Sequence, residues 1–128
     1  MILDASALVA MIDLEPGYEE LVRKATESKE LKICAASVLE TSMVAISRLG
    51  PDGQSEVLNA IGDLNAEILP FDAAQLPFAA EAFVKFGKGR HPAALNFGDC
   101  MVYALAKATC QPILCTGDEF AKTDIGVA

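Results

Sequence analysis

Short apolar runs alternate with longer amphipathic stretches along the whole chain. The apolar runs predict four strands, at residues 1–3, 31–35, 66–72 and 111–118, of which the third contains a proline typical of an edge or an ending. Helical periodicity predicts helices at residues 7–12, 15–28, 37–50, 51–65 and 73–87, and a last one that starts near residue 98. This alternation predicts an α/β fold with three layers, α/β/α, around a mostly parallel central sheet.

Polar residues at the predicted helix starts supply local signals for capping. Ser6 is placed to cap the first helix, and Ser37 with Glu40 three residues later has the spacing of a capping box. Asn96 is a candidate N-cap of the last helix, which makes Asp99 its third residue. Each of these acidic residues therefore has a structural explanation that needs no chemistry.

Composition limits the size and class of the protein. The 128 residues are 52% apolar, which suits a single domain over residues 1–128 with a continuous core. The net charge is −8, with 18 acidic and 10 basic residues, whereas phosphate contacts of nucleic-acid-binding proteins usually need lysine and arginine. A role with nucleic acid is compatible with this charge if divalent cations neutralise carboxylates, or if a basic partner protein binds.

The N-terminal stretch has no basic start and carries Asp4 inside its apolar residues, and no later run reaches the length of a membrane span. We therefore expect a cytoplasmic protein with no membrane association. The four cysteines, Cys34, Cys100, Cys110 and Cys115, lack paired metal-ligand spacing and are predicted to be buried free thiols. The single histidine, His91, excludes a centre built from several histidines, so oxygen ligands would have to dominate any metal site.

Four acidic residues occupy comparable places in the predicted fold. Asp4 and Asp118 follow strands at their carboxyl ends, while Glu40 and Asp99 lie in the first turns of apolar helices. Asp4 and Asp118 also suit turns or caps, but the coincidence of four acids is harder to explain by local structure. In a parallel sheet these positions converge at one edge, where ligands of open α/β folds bind.

Converging carboxylates favour Mg²⁺ or Mn²⁺ over softer metals. Such a site is suited to phosphodiester hydrolysis, in which bound ions activate a water and stabilise the leaving oxygen. With one histidine, the sequence offers no convincing Ser-His or Cys-His nucleophile. The residues thus predict a metal-dependent hydrolase, with Asp4, Glu40, Asp99 and Asp118 as its metal-binding and catalytic residues.

Four segments stand in order over nearly the whole chain: MILDASALVAM (1–11), SVLETSMV (37–44), GKGRHPAALNFGDCMVYALA (87–106) and ILCTGDEFAKTDI (113–125). Together they resemble the PIN-domain ribonucleases, and closely the VapC toxins of bacterial type II toxin–antitoxin pairs. The chain departs from the family pattern at Ala5, where many relatives carry threonine, and at Glu119, where aspartate is common.

The resemblance implies that Asp4, Glu40, Asp99 and Asp118 form the Mg²⁺ or Mn²⁺ site of an endoribonuclease. It places Ser6 and Thr116 beside that site, where substrate binding competes with helix capping and strand packing as their role, and it leaves Asp124 as either a ligand or a support of its loop. It also implies a doubly wound sheet, a homodimer, a structured RNA substrate, and inhibition by a VapB-type antitoxin. Operator DNA would be bound only indirectly, through that antitoxin.

Basic residues are concentrated in the loop just before Asp99, which contains Lys88, Arg90 and His91. We predict that Arg90 contacts an RNA phosphate near the scissile bond, although a solvated loop residue is the simpler explanation. Two other functions stay open. One is a catalytically inactive PIN-like module that binds RNA or protein, and the other is a Mg²⁺-dependent phosphotransfer enzyme, disfavoured because Ser6 stands where a phosphatase of that kind would carry a second aspartate.

Overall fold

The computed structural model describes all 128 residues, Met1–Ala128. The strands are β1 (Ile2–Leu3), β2 (Lys32–Cys34), β3 (Glu67–Leu69) and β4 (Ile113–Leu114). The helices are α1 (Ala5–Ile12), α2 (Tyr18–Glu27), α3 (Ala35–Leu49), α4 (Gly53–Asp63), α5 (Leu76–Phe86) and α6 (Phe97–Thr109), with short 3₁₀ turns at Gly50–Asp52 and Phe120–Lys122. The predicted alternation of strands and helices is confirmed.

The four strands form one parallel sheet in the order β3-β2-β1-β4. Ile2 pairs with Lys32 on one side and with Ile113 on the other, so β1 lies at the centre. The chain moves outward from β1 to β2 and β3, then crosses back to place β4 on the opposite side of β1. The crevice at the carboxyl ends of β1 and β4 is therefore the switch point of the sheet, where doubly wound folds bind their ligands.

Successive strand residues point into two separate apolar cores, which gives the three layers. Ile2, Cys34 and Ile113 pack in one core with residues of α5 and α6, such as Tyr103 and Leu105. The other core contains Leu3, Ile33 and Leu114, packed against these residues of α1 to α4: Ala7, Leu8, Met11, Ala25, Ala45, Val57 and Ile61. The predicted α/β/α architecture is thus confirmed, because a strand buried on both faces needs helices on both sides.

Two predicted helix starts are wrong, and both errors concern the acidic residues. Helix α1 begins at Ala5 and is capped by Asp4, whose carboxylate accepts a hydrogen bond from the Ser6 N–H, so Ser6 is not the cap. Helix α3 follows β2 directly and has no side-chain cap. Ser37 consequently lies buried inside α3, and the predicted capping box with Glu40 does not form.

Strand β3 is an edge strand that ends before Pro70, as its sequence predicts. Pro77 lies in the first turn of α5, where its missing N–H costs no helical hydrogen bond. All four cysteines are free, but only Cys34 and Cys100 are buried as predicted: Cys115 is half-buried, and Cys110, the C-cap of α6, is exposed. None of the helices has both the length and the apolar character that crossing a membrane requires.

A central strand and an edge strand differ in what a side chain contributes to stability, and β2 and β3 offer a matched pair. Ile33 and Ile68 are direct cross-strand partners, but Ile33 is fully buried while Ile68 is 43% exposed at the edge. We expect Ile33→Ala to lower the free energy of unfolding by about 2–5 kcal/mol and Ile68→Ala by clearly less, because only the first leaves a cavity. Urea unfolding measures both, and equal losses would contradict the assignment of the core.

Candidate active site

A cleft opens at the carboxyl ends of β1 and β4, where the topology places the binding crevice. Asp4 follows β1 directly, and Thr116 and Gly117 follow β4. Helices α3 and α6 complete the cleft, which has a volume of about 410 Å³. Its lining includes five acidic residues, Asp4, Glu15, Glu40, Asp99 and Glu119, and no lysine, arginine or histidine.

Asp4 lies at the floor of this cleft and is 7% exposed. Its Oδ2 accepts hydrogen bonds from the Ser6 N–H at 3.0 Å and from the Ser6 hydroxyl at 2.5 Å. The Ser6 Oγ in turn accepts a hydrogen bond from the Thr116 N–H at 3.1 Å. Ser6 therefore links the carboxylate after β1 to the backbone after β4 and holds the two walls of the cleft together.

Glu40 enters the cleft from α3 with no hydrogen bond or ion pair from the protein to fix its charge. It lies in the second turn of α3, because the helix begins at Ala35. Its Oε2 is about 3.0 Å from the point where a Cβ on Gly98 would lie, so the carboxylate packs against the first turn of α6. Gly98 thus leaves room for the approach of α3 and α6 at the site.

Asp99 takes part in the cap of α6 and also lines the cleft. Asn96 Oδ1 accepts a hydrogen bond from the Asp99 N–H at 2.9 Å, and Asp99 Oδ2 accepts one from the Asn96 N–H at 2.8 Å, so the predicted cap of α6 is a complete capping box. Both residues also line the cleft. The cap holds one carboxylate oxygen of Asp99 in place, while the charge of the carboxylate still faces the cleft.

The fourth acid differs from the sequence-based expectation. The Asp118 side chain is 71% exposed, pairs with Lys122 at 2.7 Å, and does not line the cleft. The neighbouring Glu119 does line it. Gly117 has a φ of +80°, and a side chain on it would overlap the Glu119 carboxylate, so this turn directs Glu119 inward and Asp118 outward.

The pKa values of the buried acidic groups at the cleft are raised, first by burial and then by their acidic neighbours. Burial raises the pKa of Asp4, an effect that the charge of Glu119 increases and the bonds from Ser6 oppose. Burial also raises the pKa of Glu40 and of Asp99, and the charges of neighbouring acidic residues raise both pKa values further. Burial and the charges of Asp4, Glu119 and Asp99 raise the pKa of Cys115 to about 11. By contrast, Lys122 lowers the pKa of Asp118, which is outside this group.

Two further predicted residues have positions that bear on their role. Thr116 lines the cleft beside Ser6, as expected, and is tied to it through its backbone N–H. Arg90 lies away from the cleft, with its guanidinium 5.1 Å from the centre of the Phe83 ring. A contact of Arg90 with RNA therefore stays a prediction, and it would require the substrate to extend beyond the cleft towards α5.

Sequence reasoning missed Glu119 and Glu15 as residues of the cleft. In the sequence, Glu119 stands out only as a departure from the family pattern. The signal that could have found it is Gly117, because a glycine turn can point Asp118 and Glu119 in different directions. Glu15 follows Leu14, whose φ of 53° ends α1 abruptly, and no spacing rule connects it to Asp4. Both positions depend on loop geometry, which the periodicity of apolar residues does not predict.

The chemistry of the site is that of hard oxygen donors. Asp4, Glu40, Asp99 and Glu119 supply carboxylate oxygens with no basic side chain in the cleft to balance them, a donor set that fits Mg²⁺ or Mn²⁺. In the present arrangement, no group of three or more His, Cys, Asp or Glu side chains is close enough to hold an ion. The donors thus suit such a cation by their chemical type, while the carboxylates stand farther apart in this structure than a bound ion would hold them.

A family model for the PIN domain matches residues 1–125 of the chain. The sequence is 40% identical over 125 residues to Ribonuclease VapC of Mycolicibacterium smegmatis, covering 98% of this chain and 97% of that protein. It is also 40% identical over 126 residues to Ribonuclease VapC30 of Mycobacterium tuberculosis, covering 98% and 95%. The chain therefore belongs to the PIN-domain family and, within it, to the VapC ribonucleases.

Solved structures agree with this fold at much lower sequence identity. The crystal structure of VapC20 of M. tuberculosis, described as a sarcin–ricin loop cleaving toxin, has a TM-score of 0.74 at 12% identity and covers 99% of this chain and 97% of its own. VapBC2 of Rickettsia felis, bound to a DNA fragment from its promoter, has a TM-score of 0.78 at 14% identity and covers 98% and 94%. These likenesses confirm the PIN-like α/β/α architecture.

Asp99 and Asp118 allow the crowding of the cleft to be tested with one type of substitution. We expect Asp99→Asn to raise the melting temperature of the metal-free protein, because it removes a charge that burial and neighbouring acids destabilise while an amide oxygen can still cap α6. Asp118→Asn should lower it slightly, because it removes the partner of Lys122. Thermal unfolding in EDTA measures both, and a lower melting temperature for Asp99→Asn would contradict the crowding.

The same groups predict how stability depends on pH. Asp4, Glu40 and Asp99 have raised pKa values, so the folded protein binds their protons more tightly than the unfolded chain, and stability should rise as the pH falls from 7 towards about 4. Asp118 and Asp124 have lowered pKa values, and their contributions are lost only below that range.

Urea unfolding in EDTA at pH 7 and pH 5 measures this dependence. Asp99→Asn should show a smaller gain on acidification than the wild type, because one of the responsible groups is gone. A protein that is equally stable at both pH values, or a gain unchanged in the variant, would exclude the cleft carboxylates as its source.

Proposed function

We propose that the chain is a Mg²⁺- or Mn²⁺-dependent endoribonuclease that hydrolyses RNA phosphodiester bonds and acts as the toxin of a VapBC-type toxin–antitoxin pair. The observation that carries this proposal is the cleft at the β1–β4 switch point, which five acidic residues line and no basic side chain enters. Membership of the VapC ribonucleases supports the same activity.

Asp4, Glu40, Asp99 and Glu119 would hold the cation in this proposal. A divalent cation bound there would neutralise the carboxylates and the attacked phosphate and lower the pKa of a bound water. The protein's own contribution is orientation: Ser6 holds Asp4, the capping box holds Asp99, and the Gly117 turn directs Glu119 into the cleft. Glu40 has no partner in the protein, and this leaves both of its oxygens free to bind.

The proposed role of water follows from what else the cleft contains. The only histidine, His91, packs edge-on against Phe86 and does not line the cleft. Cys115 does not line the cleft either, and its thiol, with a pKa of about 11, would be almost entirely protonated at neutral pH and is a poor nucleophile. We therefore infer that water attacks the phosphodiester directly and that no covalent enzyme intermediate forms.

A VapB-type antitoxin is the proposed protein partner, and DNA would be bound only through it. The solved structure of VapBC2 of R. felis, which has this fold, is bound to a DNA fragment from its promoter. On this chain the helix that carries Glu40, α3, also exposes the apolar side chains of Leu39, at 62%, and Met43, at 61%. A segment that combines basic and apolar residues would complement both surfaces. From the family resemblance we also propose that the chain forms a homodimer.

Inducible expression of wild-type protein in a bacterium, followed by sequencing of new RNA 5′ ends, tests the activity and reveals its target. We expect growth arrest and discrete new ends for the wild type and for Asp118→Asn, whose side chain is outside the cleft. Asp99→Asn and Glu119→Gln should lose about tenfold or more of the cleavage, since each removes a charge from the proposed cation site.

Each alternative has its own outcome in this experiment. Growth arrest by wild type and Asp99→Asn alike, with no new RNA ends, would indicate an inactive PIN-like module that acts by binding. Loss of cleavage in Asp118→Asn but not in Glu119→Gln would identify Asp118, as the sequence suggested, and not Glu119 as the fourth ligand. Purified protein that hydrolyses small phosphate esters but not RNA would indicate a phosphotransfer enzyme.

A further inference from the structure

Three side chains outside the cleft form a hydrogen-bonded group that the proposed chemistry does not use. The Tyr103 hydroxyl donates to Asp124 Oδ1 at 2.7 Å, and Lys107 Nζ donates to Asp124 Oδ2 at 2.8 Å. The Lys107 ammonium also lies 5.6 Å from the centre of the Tyr103 ring. We call these three residues the α6 clamp, because Tyr103 and Lys107 are one turn apart on α6 and grip one carboxylate between them.

The α6 clamp connects the two chain segments that form the acidic cleft. Asp99 lies one turn before Tyr103 on α6, so Asp99, Tyr103 and Lys107 follow one another at intervals of four residues along one face of the helix. Asp124 ends the loop that leaves β4 and carries Thr116 and Glu119. We call residues 115–124 the Glu119 loop. The Asp124 carboxylate thus ties this loop to the helix that carries Asp99.

This loop is held at other points as well, and the bond between Asp124 and α6 is best judged beside them. At its start the Thr116 N–H is bound to Ser6, and in the middle Phe120 is buried in the core. After Asp124 the chain pairs with β4, where the Ile113 N–H donates to the Gly126 carbonyl at 2.9 Å. Ile125 packs partly buried against the same core, and Asp124 is the residue whose side chain bonds to α6. Its loss would loosen the segment between Phe120 and Gly126, which begins one residue after Glu119.

The geometry argues against Asp124 as a ligand of the proposed cation. Both of its carboxylate oxygens already accept hydrogen bonds from α6, and it does not line the cleft. Tyr103 is completely buried, and a buried phenol needs an acceptor for its O–H. Asp124 satisfies that donor, which explains why an exposed aspartate is paired with a core tyrosine.

We propose that Asp124 is a positioning residue: through the α6 clamp it sets where Glu119 stands relative to Asp99, and thereby the affinity of the cleft for its divalent cation. This inference rests on the proposed function for the cation, but its structural part does not depend on nuclease activity. Residues that orient metal ligands through hydrogen bonds commonly change metal affinity by about 10–100-fold when they are replaced.

The first measurement is hydrogen exchange of the metal-free protein by mass spectrometry, which needs neither RNA nor metal. In Asp124→Ala we expect faster exchange in residues 119–126 while α6 stays protected. Glu81→Ala is the matched control, because it also removes an exposed acid that pairs with a lysine, Lys85, but on α5. Unchanged exchange in the Glu119 loop of Asp124→Ala would overturn the proposal whatever the protein's activity.

The second measurement is the Mn²⁺ affinity of the same proteins by titration calorimetry, with RNA cleavage followed as a function of Mn²⁺. We expect Asp124→Ala to bind Mn²⁺ about tenfold more weakly, and saturating Mn²⁺ to restore its cleavage rate. Tyr103→Phe, which removes one hydroxyl and keeps the ring, should show a smaller shift in the same direction. Glu81→Ala should bind Mn²⁺ as the wild type does.

The remaining outcomes separate this proposal from the proposed function. Wild-type protein that neither binds Mn²⁺ nor cleaves RNA would overturn the cation function, while the exchange result would still decide whether Asp124 positions the loop. Weak binding in Asp124→Ala with an unchanged loop, or cleavage that no Mn²⁺ concentration restores, would indicate a direct ligand or catalytic group and would overturn the positioning role. If Asp124→Ala does not fold, Tyr103→Phe decides by the same two measurements.

Discussion

The architecture depends on a small parallel sheet whose central strands are buried on both faces. Strands of two or three residues send alternate side chains into two cores, so helices must cover both sides and every connection must cross the sheet. Because all four strands run in the same direction, their carboxyl ends meet at one edge. The return of the chain from β3 to β4 opens that edge beside β1, and this topological constraint decides where the acidic residues can meet.

The site that results opposes stability and serves binding. Asp4, Glu40 and Asp99 have raised pKa values because burial and mutual repulsion disfavour their charged forms. The protein compensates only part of this cost, through the Ser6 bonds to Asp4 and the hydrogen bond that the Asn96 N–H donates to the Asp99 carboxylate. The remaining negative potential has no basic partner within the chain, and it is the feature that a divalent cation or a basic protein segment would recognise.

Hydrogen bonds with structural roles are also the ones that shape the cleft. The capping box of α6 fixes the direction of Asp99, the serine after β1 connects Asp4 to the backbone after β4, and the tyrosine and lysine of α6 hold the far end of the Glu119 loop. In each case an ordinary requirement, a capped helix or a satisfied buried hydroxyl, places an acidic residue or its loop. Structural and functional explanations of these residues are therefore compatible, and the choice between them that the sequence seemed to pose is unnecessary for Asp99.

The sequence by itself determined the order of strands and helices, the edge position of β3, the cap of α6 and three acids of the cleft, because periodicity and capping are local properties. Only the tertiary structure decided that Glu119 enters the cleft while Asp118 pairs with Lys122, since a left-handed turn at Gly117 sets the two directions. It also decided that Glu40 forms no capping box with Ser37 and that Asp124 binds Tyr103, 21 residues away in the chain. Side-chain direction in loops depends on backbone angles and distant partners, which no local pattern contains.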